Sequence, residues 1–284
     1  MVEEKIAVVV DSTAYLPQEA IRKYDIRVVP LSVIIDGKSY KEEVDLLTDD
    51  FYAKIKESKD FPTSSQPAPG DFVQVFEELK KEGFDTVISV HLTSGISGTF
   101  QNAVSAGEMV EGLNVFAVDS GLACMAQGSL ALKAASLAEQ GKSADEILAY
   151  LEKMKQNMDA YFMVDDLNNL QRGGRLTGTQ AMIGSLLQIK PILHFEDKHI
   201  VLFEKVRTQK KALKRIEEIL DQAVQNGEAE QAYVIHGNVP ARGEAWLKEL
   251  AEKFPTVEFH LSYFGPVIGT HLGEGALGLT WSIK

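Results

Sequence analysis

Three stretches of the chain collect hydroxyls, glycines and prolines in a way that could hold an anion: Asp11-Ser-Thr13, Phe61-Pro-Thr-Ser-Ser-Gln-Pro-Ala-Pro-Gly70 and His91-Leu-Thr-Ser-Gly-Ile-Ser-Gly-Thr99. Small residues let a backbone approach a ligand and present its N–H groups, and the second and third runs each open a segment of helical period. An anionic oxygen is the guest such loops suit. The same residue types also make ordinary turns and N-caps, so one loop of this kind says little and two say more. His271, in Ile268-Gly-Thr-His-Leu-Gly273, adds an imidazole among small residues in a stretch read as flexible. It is able to donate to an oxyanion or accept from a hydroxyl near neutral pH, and a satisfied structural histidine is the competing reading. Gly95-Ile-Ser-Gly-Thr99 approaches a nucleophile elbow but places Thr99 where the last glycine belongs. Ser97 with His271 is therefore carried as a serine-esterase alternative.

Other motifs carry less. Gly273-Glu-Gly-Ala-Leu-Gly278 has the G-x-G-x-x-G spacing but lies too near the C-terminus for the helix, strand and acidic residue of a dinucleotide site. Gly141-Lys-Ser143 ends like a P-loop, yet Ser136 stands where the first glycine belongs, and Ser143 with Glu146 reads as a capping box. Asp165-Asp166 and Asp45, Asp49 and Asp50 suit helix starts better than a metal. Arg172-Gly-Gly-Arg175 reads equally as a phosphate cradle and as a glycine turn between solvated arginines. Lys205-Val-Arg207 and the lysines that follow form a basic patch, most of it read as a solvated helix face.

The elements that must position these residues follow from the chain's periodicity. With 284 residues the chain suits about two domains. Its 41 acidic and 29 basic residues leave a net charge of −12, unsuited to non-specific nucleic-acid binding. One cysteine excludes an internal disulfide framework, and no zinc spacing occurs among the six histidines. No secretory leader or apolar run of about 20 residues is found, so no stable membrane insertion and a cytoplasmic location are expected.

β-branched runs at 6–10, 28–35, 86–90 and 115–118 alternate with helical segments at 17–24, 49–58, 71–82, 99–109, 125–140 and 144–158. This alternation predicts an α/β fold with mostly parallel sheets. Tyr161–Val164, a helix at 181–187, a hairpin of 192–195 with 200–203, helices at 209–225 and 241–253, and strands at 232–235 and 257–261 predict a second α/β unit. The division is drawn near Asp165, giving domains 1–165 and 166–284.

Val-Val-Asp-Ser-Thr at 9–13, Ser-Ser-Gln-Pro at 64–67, Ser-Gly-Ile-Ser-Gly-Thr at 94–99, Arg-Gly-Gly-Arg at 172–175, Lys-Val-Arg at 205–207 and Gly-Thr-His at 269–271 follow one another as in the DegV family, which the chain resembles along nearly its whole length. The resemblance implies two α/β domains with a long-chain fatty acid, such as palmitate or oleate, held between them as ligand, with no other cofactor and no catalytic residue. It implies that Ser64 and Ser97 grip the carboxylate with His271, with Thr63 and Ser94 as neighbouring candidates, and that Arg207 serves phosphoryl transfer or partner contact. It further implies a separate ATP-binding subunit of a fatty acid kinase, to which this chain would present its ligand for acyl-phosphate formation. Phe162, Met182, Ile183, Leu186, Leu187 and Ile192 are candidates for the tunnel wall. A third reading, an enzyme akin to dihydroxyacetone kinases, would need a covalent hemiaminal between a histidine and a small ketone. The chain departs from the family pattern at Ser64, usually threonine, and at Glu274, usually proline, whose charge would either raise the pKa of His271 or face solvent.

Overall fold

The structure is a computed structural model, and it describes residues 4–176 and 189–283. The chain divides into two compact units, one of Met1–Ser32 with Ser65–Gln156, the other of Val33–Ser64 with Asn157–Lys284. A single cut near Asp165 thus misses that 33–64 groups with the C-terminal segment. The cause is local: the run 28–35 is interrupted at Pro30, which has no N–H to give a ladder. It forms two strands, Arg27–Val29 and Ser32–Ile35, in different sheets.

The first unit holds β1 (Ile6–Asp11), α1 (Gln18–Tyr24), β2 (Arg27–Val29), α3 (Pro69–Lys81), β6 (Thr86–His91), α4 (Thr99–Glu108), β7 (Asn114–Asp119), α5 (Met125–Glu139) and α6 (Ala144–Lys155). Its sheet runs β2-β1-β6-β7, parallel throughout. Ala7, Val9 and Val87 pack against Phe72, Phe76 and Leu79 of α3 and Ala103 and Ala106 of α4. The α6 capping box forms as the sequence predicts: the Ser143 N–H donates to Glu146 Oε2 at 3.0 Å, and Ser143 Oγ accepts from the Glu146 N–H at 3.3 Å.

The second unit begins with β3 (Ser32–Ile35), β4 (Lys38–Lys41), α2 (Thr48–Glu57) and β5 (Thr63–Ser65), whose strands form a small sheet ordered β4-β3-β5. It continues with β8 (Asp159–Met163), α7 (Asn168–Arg172), β9 (Lys190–Glu196), β10 (His199–Val206), α8 (Gln209–Gln225), β11 (Gln231–His236), α9 (Pro240–Lys253), β12 (Glu258–Tyr263), α10 (Pro266–Leu272) and β13 (Leu277–Ser282). The six-stranded sheet runs β10-β9-β8-β13-β11-β12, and only β11 with β12 is parallel. The expectation of mostly parallel sheets is corrected here. The β9–β10 hairpin turns through Asp197 and Lys198, both at positive φ as a two-residue turn requires. β13 then inserts antiparallel between β8 and β11.

Two further readings are corrected. The stretch around His271 is the buried helix α10, entered at Pro266 and closed by Gly273 at φ +77. Ile192 and Met163 face the helices, in the core with Ile216, Leu220 and Trp246, whereas Phe162 pairs with Leu193 on the opposite face. Met182, Ile183, Leu186 and Leu187, with the helix expected over 181–187, lie outside the described residues. Among the described residues no helix is long and apolar enough to cross a membrane.

Candidate functional site

In the second unit, Ser64 and His271 are brought together across 207 residues of sequence, with Ser64 Oγ 2.7 Å from His271 Nε2. Strand β5 places Ser64 half-buried and its neighbours Thr63 and Ser65 exposed on the other side, so Thr63 does not share the site of Ser64. His271 occupies the last turn of α10 and is only 9% exposed. The first turn of that helix is fixed by Glu42, whose buried carboxylate accepts from the Val267 N–H at 2.7 Å, as an acid at a helix N-terminus should. Tyr52 braces the approach to α10 by donating to the Phe264 carbonyl at 2.9 Å. Gly173 lets the chain after α7 come up to the imidazole: a Cβ there would stand 2.3 Å from His271 Nδ1.

Burial pushes the His271 pKa down to about 4, and the Arg175 guanidinium acts in the same direction. The imidazole is therefore neutral at physiological pH. Its Nδ1 is buried and has no hydrogen-bond partner among the described residues. An orphaned buried donor is a rarer arrangement in proteins than an orphaned acceptor. The proton is accordingly assigned to Nε2, which donates to Ser64 Oγ and leaves the serine hydrogen free for an anion. Glu274 does not raise the pKa of His271: its carboxylate is held by Lys56 Nζ at 3.0 Å and Asn238 Nδ2 at 2.7 Å.

The first unit carries the other hydroxyl loops. Half-buried Ser97 lies 2.8 Å from Thr99 Oγ1 and accepts from the Thr99 N–H at 3.3 Å. Its loop is laced to the residues after β5: the Gly98 N–H donates to Gln66 Oε1 at 2.9 Å, and Asn102 Nδ2 to the Pro67 carbonyl at 2.9 Å. Ser94 differs, because its hydroxyl donates to Asp119 Oδ2 at 2.5 Å and its N–H to Asp119 Oδ1 at 3.2 Å. A hydroxyl has one proton, so Ser94 supports the loop and has no donor left for an anion.

Asp11-Ser-Thr13 closes on itself. Asp11 Oδ2 accepts from Leu92 N–H, Gln127 Nε2 and His91 Nδ1 at 3.0, 3.0 and 3.1 Å, and Thr13 satisfies Oδ1. Ser89 Oγ stands 2.7 Å from His91 Nε2, giving the wiring of a hydrolase triad among side chains that are all 0% exposed. No substrate reaches it, and its consequence is rigid strand ends. Sequence reasoning missed this network, whose members alternate or lie far apart in sequence.

Arg207 is exposed on the link between β10 and α8, with no ion pair or hydrogen bond among the described residues. In the Arg-Gly-Gly-Arg turn, Arg172 lies over the Phe61 ring at 5.5 Å, and Arg175 Nη1 donates to the Gly173 carbonyl at 2.5 Å. These donors suit an anionic head group. Among the described residues His271 Nδ1 meets no carboxylate, and the Ser97 hydroxyl meets Thr99 within its own unit.

A DegV domain-containing protein of Listeria monocytogenes is 72% identical over 281 residues, 99% of each chain. Among solved structures, DegV of Bacillus subtilis, described as a fatty acid binding protein, matches with a TM-score of 0.93 and 51% identity over 99% of this chain and 100% of that one. A fatty acid binding DegV family protein of Streptococcus agalactiae matches with a TM-score of 0.92 and 36% identity over 99% of both. The model of the family described as "Uncharacterised protein, DegV family" matches residues 5–284, and the chain belongs to the DegV family.

Proposed function

We propose that this protein binds a long-chain fatty acid in an apolar tunnel and presents the carboxylate to a separate ATP-dependent kinase for acyl-phosphate formation. The observation that carries the reading is the Ser64–His271 pair, a buried neutral donor relay that suits one ionised oxygen. The relatives described as fatty acid binding proteins support the ligand class. A neutral relay seats a carboxylate without titrating it, and Ser97 is proposed as a further carboxylate-binding residue. The chain's loops include none with the spacing of an ATP-phosphate site, so the phosphoryl donor is assigned to a partner. Exposed Arg207 is assigned to that step, since a planar guanidinium matches phosphate oxygens.

Organic extraction of freshly purified protein followed by mass spectrometry tests the ligand: a long-chain acid at near one per chain is expected. An empty extract, with no uptake of added palmitate or oleate, would overturn the reading. The kinase step is tested by fractionating a lysate of the source bacterium for ATP-dependent conversion of bound palmitate to acyl phosphate. Arg207→Ala is expected to retain the ligand and slow that conversion at least tenfold, and equal loss of both would show the division of roles to be mistaken.

A further inference from the structure

One short segment of the chain sets both members of the Ser64–His271 pair. The sheet β4-β3-β5 carries Ser64 on one edge strand, β5, and its other edge strand, β4 (Lys38–Lys41), leads directly into Glu42. The Glu42 carboxylate, 1% exposed, accepts from the Val267 N–H at 2.7 Å, and Val267 and His271 stand four residues apart on α10. Four residues are about one helical turn, so the carboxylate grips the backbone about 6 Å along the axis from the residue that bears the imidazole, on the same face. A second hold comes from α2 in the same segment: Tyr52, 1% exposed, donates to the Phe264 carbonyl at 2.9 Å. A Cβ at Gly269 would stand 2.7 Å from the Tyr52 hydroxyl oxygen and 2.9 Å from Phe51 Cε1, so α10 lies directly on α2. Helix capping alone does not account for Glu42. The N-cap of α10 is Gly265, without a side chain, and the acceptor is brought from 225 residues away in sequence. Gly265 has φ −74 and ψ −172, extended backbone that serine or aspartate adopts freely, and either would satisfy a first-turn N–H locally without burying a remote carboxyl. What the remote cap adds is a fixed span between the segment that bears Ser64 and the helix that bears His271.

We propose that Glu42 and Tyr52 are positioning residues for carboxylate recognition, acting through α10 to hold His271 Nε2 against Ser64 Oγ. The inference rests on the proposed function and names the residues that set the geometry of its head-group site. Neither side chain touches ligand. The relay works only while the Nε2–H points at Ser64 Oγ, because a hydrogen bond weakens steeply as its angle closes, and any shift of the α10 axis turns the imidazole with it. Loss of the hold at Val267 or at Phe264 therefore penalises a ligand with an ionised head and spares the contacts of its hydrocarbon tail.

The test uses the full chain, stripped of lipid and loaded with a fluorescent fatty acid, which is displaced by two competitors of equal chain length, palmitate and uncharged hexadecanol. In Glu42→Ala the ratio of palmitate to hexadecanol affinity is expected to fall at least about threefold, and Glu42→Gln, whose amide oxygen accepts from the Val267 N–H, is expected to restore it to within about twofold of wild type. Tyr52→Phe keeps the ring, loses the hydroxyl and is expected to lower the same ratio at least about twofold. It decides the question if Glu42→Ala does not fold. Tm falls whether these residues are positioning or merely structural, so the ratio is the readout that a structural role would not move. A smaller fall of the ratio in Glu42→Ala overturns the inference, even where both affinities drop together, and so does a Glu42→Gln chain no better than Glu42→Ala. A smaller fall in Tyr52→Phe overturns the role of Tyr52. A wild-type chain that holds both competitors equally sinks the head-group reading and this inference together, whereas a wild-type preference for palmitate carried unchanged into the variants sinks the positioning role alone.

Discussion

Removing the Ser64 hydroxyl separates the energetics of the head group from those of the tail. A C16 acid has about 14 methylenes, and burying them at roughly 0.8 kcal/mol each would contribute about 11 kcal/mol before ordering costs. A hydrogen bond to an ionised carboxylate contributes about 1.5–3 kcal/mol net. Ser64→Ala is therefore expected to weaken palmitate binding about 10- to 150-fold without abolishing it. The same change strips His271 Nε2 of its 2.7 Å partner, a loss of about 1–3 kcal/mol for a buried group, so Tm should fall by several degrees. Ser64→Thr returns the hydroxyl with one extra methyl and is expected to recover affinity to within about threefold. Displacement of a fluorescent fatty acid, read beside thermal unfolding of the ligand-free chain, measures both effects. A Ser64→Ala protein that loses stability but binds within twofold of wild type would refute the reasoning, because Ser64 would then be a strut for His271 and not a donor to ligand.

Gly173→Ala places a Cβ 2.3 Å from His271 Nδ1 and is expected to cost about 1–3 kcal/mol of stability and much of the head-group affinity. Gly70→Ala, with nothing within 4 Å of its Cβ, should be silent in the same calorimetric comparison. Ser97→Ala is expected to shorten fatty acid retention in a dilution assay, whereas Ser94→Ala should lower Tm and leave retention within twofold, since its proton already serves Asp119. Stability should also report the depressed His271 pKa. Below about pH 6.5 the unfolded histidine takes up a proton that the folded one refuses until about pH 4, so folding loses up to about 3 kcal/mol as pH falls through that window. His236, also held low by burial, acts in the same direction, and Asp159 and Glu43, held high by burial, act oppositely. The test is therefore the difference between wild type and His271→Gln in denaturant melts from pH 7 to 4, and parallel curves would contradict the assigned ionisation.

Much of the fold was legible because its elements obey local rules. The β-branched runs of β1 and β6 are buried where continuous apolar runs predict covered strands, whereas β7, at the sheet edge, is buried only at Val118 and Asp119, and the Ser143–Glu146 box starts α6 where its spacing predicts. The antiparallel second sheet was not legible, because strand direction depends on which element returns between which others. β13 shows why: Leu277-Gly-Leu-Thr-Trp-Ser282 is entirely buried between β8 and β11, yet its six residues give no alternating cue and Gly278 is a residue type depleted in strands. The grouping of 33–64 with the C-terminal unit depends likewise on the strand break at Pro30, which sequence periodicity bridges.

At the site, residue type was readable and protonation was not. The resemblance to the DegV family singled out Ser64 and Ser97 among hydroxyl-rich loops, but their kinship with Ser94 and with Asp11-Ser-Thr13 hid a chemical difference. Ser94 and Thr13 donate to carboxylates within their own unit, so their protons are already committed, whereas Ser64 meets a neutral imidazole that itself supplies a proton. That difference is set by which acid or base the fold brings alongside, through Asp119 in one case and α10 in the other. Glu274 illustrates the same point. Three residues from His271 in sequence, it nonetheless gives its charge to Lys56 and Asn238, while Arg175, 96 residues away in sequence, decides the sign of the field at the imidazole. Proximity along the chain is therefore a poor guide to electrostatics in a site whose members arrive from a strand, a turn and a helix, and the ionisation of His271 follows from burial that only the folded helix α10 creates.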